Sequence, residues 1–238
     1  MGLILPPPAG LRLASYNVRK AVGLDRRRDP GRILDVLAGL QADVVVLQEA
    51  DLRLGARASA FDPDEIRERT GLTAVDLDPE SPSLGWHGNA LLVRDGIGVE
   101  MARGLDLPAL EPRGAILSHL VTPAGPLWLA GAHLGLTRQF RRRQAGALSE
   151  ELRGLANGPA AILGDFNEWR PVGALDALEP EFQVIAPGHS FHATWPVAPL
   201  DRVALGPGLR LNAAGVVEKG AARRASDHLP IWADVVLE

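Results

Sequence analysis

The hydrophobic positions of the chain change between strand-like and helix-like spacing. Leu11–Asn17 alternates apolar and polar residues, which is typical of a half-buried strand. Asp29-Pro30 then supplies a helix N-cap followed by a first-turn proline, and Val44–Leu47 is a β-branched run typical of a buried strand. Apolar residues recur between them at helical spacing, at Ile33, Leu34, Leu37 and Leu40. The pattern therefore predicts a strand, a helix and a second strand, in that order.

The remainder of the chain continues this alternation. Asp62-Pro63-Asp64-Glu65 repeats the cap signature and predicts the start of a second helix. A long helix is predicted over Thr137–Leu155 and a short one around Pro171–Leu178. Further strands are predicted at Ala90–Val93, Ala115–Val121, Leu127–Ala132, Ala160–Leu163, Leu200–Leu205 and Ile231–Leu237. Because strands outnumber helices and cluster between them, the pattern favours an α+β fold, with two sheets and helices outside them, over a doubly wound alternation.

Length and composition narrow the possibilities. The chain has 238 residues, of which 46% are hydrophobic and 23% charged, and it shows no repeat or linker, so a single domain over residues 1–238 is expected. It contains no cysteine, which excludes disulfides, thiolate zinc sites and cysteine nucleophiles. A metal would therefore be held by carboxylate, amide or imidazole groups, and oxygen ligands suit Mg²⁺, Mn²⁺ or Ca²⁺.

Charge and the first residues bear on partners and location. The formal net charge of −4 argues against tight, non-specific binding to nucleic acid. It does not exclude a nuclease, because a bound metal adds positive charge where the phosphate lies. Residues 1–8 have no basic region and carry a proline block, so neither a signal peptide nor an anchor is expected. We expect a cytoplasmic monomer without membrane insertion.

Polar residues able to bind a metal recur where the apolar strands end. They are Asn17, Gln48-Glu49, His133, Asp165, Asn167 and Asp227-His228. Each alone has a structural alternative. Glu49 could simply lie where a strand meets water, Gly164–Asn167 could form a turn, and His133 could be a hydrogen-bonded histidine of the core. Their recurrence at successive strand ends favours one shared site at the rim of a sheet.

This inventory suits the hydrolysis of a phosphate ester. A carboxylate-held Mg²⁺ can neutralise the phosphate and the leaving oxygen. A carboxylate or histidine can orient and deprotonate water, while protonated histidines or amide donors stabilise charge in the transition state.

The motifs resemble those of the endonuclease/exonuclease/phosphatase superfamily, which includes enzymes similar to pancreatic deoxyribonuclease. The matching pieces are Ser15-Tyr16-Asn17, Leu47-Gln48-Glu49, Gly88-Asn89-Ala90, Ala132-His133-Leu134, Gly164-Asp165-Phe166-Asn167, Leu200-Asp201-Arg202 and Ser226-Asp227-His228. They come in the family's order and extend from the first strand to the last. The resemblance implies a four-layer α/β/β/α sandwich with the site at one rim of the paired sheets.

The resemblance also implies roles for individual residues. Glu49 resembles the principal metal carboxylate, assisted by Asn17 and Asp227. Asp165 is similar to the residue that aligns or deprotonates water, and Asn167 to one that contacts the phosphate.

The histidines take the remaining roles that the resemblance implies. His228 resembles a phosphate-contacting or general-base histidine that Asp201 orients through the other ring nitrogen. His133 resembles a second phosphate-binding histidine, supported by Asn89. Whether Asp165 or His228 takes the proton stays open.

Three segments point to a small, bacterial-type branch of the superfamily. They are residues 111–115, residues 133–136 and Arg141-Arg142-Arg143-Gln144. Arg113 is a candidate phosphate or structural ligand, with a surface arginine after a proline turn as the alternative. In that branch a histidine often follows Asn-Val, whereas this chain has Arg19-Lys20, which either holds part of the substrate or forms a solvated loop. The run Arg141–Arg143 is interpreted as a solvated helix face.

The main substrate hypothesis is a nuclease or phosphodiesterase acting on DNA or another nucleic acid. The basic segments Arg19-Lys20 and Arg141–Arg143 support it. The negative net charge and the small number of aromatic residues available to stack on bases oppose it, although Trp86, Trp169 and Trp195 lie near motif segments. The alternative is a phosphatase or phospholipase-type enzyme acting on lipid headgroups or small phosphoesters. A domain that binds without cutting is a third class, but such a domain would be expected to lack Glu49, Asp165 or His228.

Overall fold

The computed structural model describes residues 10–52, 55, 57–109, 113–155 and 158–238. The strands are β1 (Gly10–Asn17), β2 (Val44–Gln48), β3 (Leu72–Ala74), β4 (Ala90–Arg94), β5 (Gly98–Asp106), β6 (Gly114–Thr122), β7 (Gly125–His133), β8 (Ala160–Asp165), β9 (Gln183–Ile185), β10 (Asp201–Leu205), β11 (Leu209–Val216) and β12 (Ile231–Leu237). The helices are α1 (Pro30–Leu40), α2 (Pro63–Thr70), α3 (Arg138–Leu155) and α4 (Ala222–Ala225), with 3-10 turns at Arg19–Ala21 and Gly173–Leu178. Every predicted strand is present with its ends within two residues, and the short helix predicted around Pro171–Leu178 is the second 3-10 turn.

Two six-stranded sheets form the centre of the fold. The first has the order β11-β12-β1-β2-β4-β3 and the second the order β5-β6-β7-β8-β10-β9. Side chains on β2 alternate between two hydrophobic cores: Val44 and Val46 pack between the sheets, while Val45 and Leu47 pack with α1. A third core joins the second sheet to α3 through Leu148 and other apolar residues. The four-layer α/β/β/α sandwich is thereby confirmed.

The pairing of the strands brings their polar ends to one rim. β1 and β2 are parallel, with Asn17 opposite Gln48, and β7 and β8 are parallel, with His133 opposite Asp165. β10 runs antiparallel to β8, so its first residue, Asp201, lies opposite Asp165. Parallel strands end at the same edge, and an antiparallel neighbour begins there. This explains how residues far apart in sequence meet.

Gly164 allows two of these strands to approach closely. A Cβ atom at this position would lie 1.8 Å from the carbonyl oxygen of Ala132 on β7. Only glycine therefore fits directly before Asp165 in this arrangement. None of the helices in the described ranges is long and apolar enough to cross a membrane.

Candidate active site

Left-handed backbone conformations are concentrated at this rim. Arg19–Ala21, Glu49 and Asn167 have φ values between 47° and 59° although none is glycine. A bond from the Lys20 amide to the carbonyl oxygen of Glu49, 2.8 Å long, ties two of these segments together. Such conformations cost of the order of 1–3 kcal/mol each, and they cluster at functional sites in many proteins.

Asp165 lies at the centre of the rim and is 1% exposed. Its Oδ2 accepts a hydrogen bond from Asn17 Nδ2 at 3.0 Å, which joins the two sheets, and its Oδ1 accepts one from the Asn167 amide at 3.0 Å. The Nε2 atoms of His133 and His228 lie 3.4 and 3.6 Å from Oδ2. One carboxylate thus contacts two imidazoles and two asparagines.

The two histidines have opposite electrostatic surroundings. Burial lowers the pKa of His133 to about 3, so its ring is neutral near pH 7. Burial also opposes the charged form of His228, but the carboxylates of Asp201 and Asp165 outweigh it and raise the pKa of His228 to about 10. The rim therefore pairs a neutral imidazole with an imidazolium.

The predicted contact between His228 and Asp201 is present. His228 Nδ1 lies 2.8 Å from Asp201 Oδ2, which also accepts a hydrogen bond from Ser190 Oγ. Asp201 is fully buried, so its position is fixed by packing as well as by these bonds. Its role in catalysis stays a prediction.

The two carboxylates expected to bind a metal each have a cationic neighbour. Lys20 forms an ion pair with Glu49, and Arg19 Nε lies 3.3 Å from Asp227 Oδ2. The side chains of Glu49 and Asp227 are each 24% exposed, so solvent reaches both. Arg19 and Lys20 are thus ion-paired rather than purely solvated, although the Arg19 side chain is still 38% exposed, and their role in holding substrate stays a prediction.

Three other side chains at the rim are close enough to one another to share a metal ion. Ligand atoms of Asp165, Asp201 and His228 all lie within 4.8 Å of one another, and these buried groups could hold an ion. However, Asp201 Oδ2 and His228 Nδ1 already bond to each other, which favours proton and charge handling at this group.

Asn89 and Arg113 differ in how far they reach the site. Asn89 Nδ2 donates to the carbonyl oxygens of Trp86 at 3.1 Å and Gly114 at 2.9 Å. Among the described residues it makes no hydrogen bond to His133, so the predicted support of His133 by Asn89 stays a prediction. Arg113 lies close enough that its charge, after burial, helps to lower the pKa of His133. Residues 111 and 112 of that predicted motif lie outside the described residues.

Sequence reasoning missed a buried ion pair behind the rim. Arg141 is 6% exposed and Glu168 is 2% exposed, with Arg141 Nη2 3.2 Å from Glu168 Oε2. Arg141 Nη1 also donates to the Leu136 carbonyl oxygen at 2.6 Å, and Arg202 Nη2 donates to that of Glu168 at 3.0 Å. The loops after His133 and after Asn167 are thereby fastened together. A solvated face is the wrong interpretation for Arg141, although residues 142 and 143 are exposed.

Comparison with known proteins identifies the family. Residues 14–228 match the model of the endonuclease/exonuclease/phosphatase family. The uncharacterized protein YbhP of Escherichia coli K12 is 29% identical over 163 residues, a match that spans 64% of this chain and 64% of YbhP.

Solved structures share the fold at low sequence identity. A mannosyl-6-phosphatase of Bacteroides thetaiotaomicron has a TM-score of 0.75 at 20% identity, covering 95% of this chain and 100% of that one. D. rerio TDP2, complexed with a single-strand DNA product, has a TM-score of 0.74 at 16% identity, covering 95% and 99%. The chain therefore belongs to the endonuclease/exonuclease/phosphatase family, whose members are hydrolases acting on phosphoester bonds.

Proposed function

We propose that the chain is a single-domain, divalent-metal-dependent phosphodiesterase that hydrolyses nucleic-acid phosphodiester bonds with activated water. One observation supports it above the others: Asp165 is contacted by Asn17, His133 and His228 at a rim that also carries Glu49. On this proposal the rim supplies a water-activating carboxylate, phosphate-contacting imidazoles and a partly solvent-exposed metal carboxylate.

The residues present fit a hard divalent cation. Glu49, Asp227 and Asn17 offer two carboxylates and one amide oxygen, the donor types that Mg²⁺ and Mn²⁺ prefer, and both carboxylates already attract cationic side chains. When bound there, the ion would neutralise charge on the phosphate and on the leaving oxygen. We propose Mg²⁺, with Mn²⁺ or Ca²⁺ as alternatives.

The protein's own groups would then divide the remaining work. Asp165, held by Asn17 and the Asn167 amide, orients a water molecule and accepts its proton. His228, oriented by Asp201, donates a hydrogen bond to the developing charge on the phosphate. The neutral ring of His133, whose Nε2 lies 3.4 Å from Asp165 Oδ2, contacts a second phosphate oxygen.

Further groups would bind the substrate around this centre. The Asn167 side chain is half-buried and is oriented by the bond from its Nδ2 to the Leu134 carbonyl oxygen at 3.0 Å, and on this proposal it contacts the phosphate. Arg19, beside Asp227, and Arg113, whose charge acts on His133, supply positive charge near the site. This charge suits a phosphate and is too local for an extended duplex, given a net charge of −4.

A second candidate is a phosphatase acting on small phosphoesters, with lipid headgroups included among them. The acidic total and the shared fold of a mannosyl-6-phosphatase favour it. Both candidates use the same metal and the same water-activating carboxylate, and they differ in whether the phosphate carries one ester bond or two.

A metal-supplemented substrate panel separates these functions. The panel contains abasic DNA, plasmid DNA, single-stranded DNA, bis-p-nitrophenyl phosphate, sugar phosphates, phosphorylated inositols and phospholipids, each with Mg²⁺, Mn²⁺, Ca²⁺ or EDTA. The proposal expects metal-dependent cleavage of diesters and little release of phosphate from monoesters. Turnover of monoesters alone would establish the second candidate, and no turnover of any ester would contradict both.

A further inference from the structure

Aromatic side chains gather on one side of His228. The Phe191 ring lies 5.0 Å from the His228 ring, and the Trp169 ring meets Phe191 edge-on at 6.1 Å between centroids. Trp169 is 58% exposed, and Trp195, on the same loop as Phe191, is 78% exposed. Large exposed tryptophans beside a site are unusual, because burying an aromatic ring is strongly favourable.

The loop that carries Phe191 is fixed to the segment around His228. The Ala193 amide donates to the Asp227 carbonyl oxygen at 2.8 Å, and the Leu229 amide donates to that of Ser190 at 2.8 Å. Phe191 is also paired with Ala198 through two backbone bonds that close the loop. The ring is therefore held in place before any ligand arrives.

The backbone on both sides of Trp169 is also fixed by hydrogen bonds. The carbonyl oxygens of its two neighbours, Glu168 and Arg170, accept hydrogen bonds from Arg202 Nη2 at 3.0 and 3.2 Å. Arg202 is fully buried, and the Glu168 carboxylate is anchored by Arg141. Because this backbone is already fixed, little backbone freedom is lost when a ligand binds to the exposed ring. This is the property of a preformed contact surface.

We infer that the exposed ring of Trp169, supported edge-on by Phe191, is an aromatic platform that stacks against the base of a nucleotide whose phosphate lies beside His228. This inference rests on the proposed function for the position of the phosphate. Every nucleobase presents a flat π-face, and stacking on aromatic side chains is the usual source of affinity for unpaired bases. The net charge of −4 disfavours binding of a duplex through its phosphates. The expected ligand is an unpaired or terminal nucleotide.

Calorimetric titration with two matched ligands tests the platform. Adenosine 5′-monophosphate and ribose 5-phosphate carry the same sugar phosphate and differ only in the base. Titrations with Mg²⁺ present keep the proposed metal at the phosphate, and a parallel assay for released phosphate detects any hydrolysis. The nucleotide is expected to bind about 5- to 150-fold more tightly, the range given by stacking of one base on an aromatic side chain.

Two variants locate the effect. Trp169→Leu keeps an apolar side chain without the aromatic face and is expected to bring the two affinities together. Trp128→Leu is the matched control. Trp128 stacks on His119 and lies on the same strand as His133, five residues and about 17 Å before it, so it is far from the site. It should keep the preference. Thermal unfolding of both variants confirms that each is folded.

The outcomes separate this inference from the proposed function. Equal affinities in the unmodified protein, no measurable binding of either ligand, or an unchanged preference in Trp169→Leu would overturn the platform. If the unmodified protein hydrolyses no substrate of the panel with any metal but still prefers the nucleotide, the proposed function alone would be contradicted.

Discussion

Replacing Glu168 by alanine removes the carboxylate that faces the guanidinium of Arg141, in a pair whose side chains are 3% and 8% exposed. It also removes the acceptor of two backbone amides, those of Arg170 at 3.0 Å and Ala174 at 2.9 Å. Breaking a buried pair by deleting one partner costs about 3–5 kcal/mol, because the other charge stays buried without its counterion. For a chain of this size that corresponds to a melting temperature roughly 6–20 °C lower.

Urea unfolding measures the predicted loss directly. The matched control is Glu65→Ala, because Glu65 forms an exposed ion pair with Arg69 on α2, and such pairs contribute about 1 kcal/mol or less. Removing Arg141 as well should recover part of the loss, since no charge is then left unpaired. A free energy of unfolding for Glu168→Ala equal to that of Glu65→Ala would refute the reasoning.

The same pair predicts the direction of a pH effect. Burial raises the pKa of Glu168, but hydrogen bonds from the Ala174 and Arg170 amides, with the charge of Arg141, outweigh it and lower the pKa below its ordinary value of 4.5. Its stabilising contribution is therefore complete above pH 4.5 and is lost as the pH falls through the lowered pKa. The difference in unfolding free energy between the unmodified protein and Glu168→Gln should shrink in acid.

Three further predictions concern the rim and the backbone near it. His228→Ala should lower kcat by about 10²–10⁴-fold in steady-state assays, and unchanged kinetics would remove this residue from the mechanism. Lys20→Met should tighten Mn²⁺ binding measured by calorimetry by about 5-fold, because an ion pair worth about 1 kcal/mol no longer competes with the metal for Glu49. Weaker binding would show that Lys20 does not compete with the metal. Gly164→Ala should lower the free energy of unfolding by at least about 1–3 kcal/mol through the clash described above, while Gly39→Ala, with open space in α1, should raise it by roughly 0.5–1 kcal/mol; equal effects would contradict the packing argument.

The strands that the sequence pattern left out share one property. β3, β5, β9 and β11 are the four edge strands of the two sheets. Their residues are largely exposed or half-buried, and every residue of β5 is so. An edge strand with two partly solvated faces does not need the strict alternation or the apolar run that identifies a central strand. The eight inner strands could therefore be predicted and the edges could not.

The residues of the site also fall into those that the sequence predicts and those that it does not. Residues at the ends of inner strands, such as Asn17 and Asp165, could be placed on one rim because strand ends converge in space. The ion pairs of Arg19-Lys20 depend on a left-handed turn after β1 that no local pattern specifies. Arg141 lies in a run of three arginines, and its burial is decided by Glu168, 27 residues away in sequence.

The central claim is that Glu49 holds a catalytic divalent metal at this rim. Hydrolysis of bis-p-nitrophenyl phosphate, titrated with Mg²⁺, tests it most directly in three proteins: the unmodified chain, Glu49→Gln, and the exposed control Glu65→Gln. Activity should depend on metal, vanish in EDTA, disappear in Glu49→Gln at every Mg²⁺ concentration and persist in the control, with all three proteins folded. Full activity of Glu49→Gln, or activity that survives EDTA, would contradict the account.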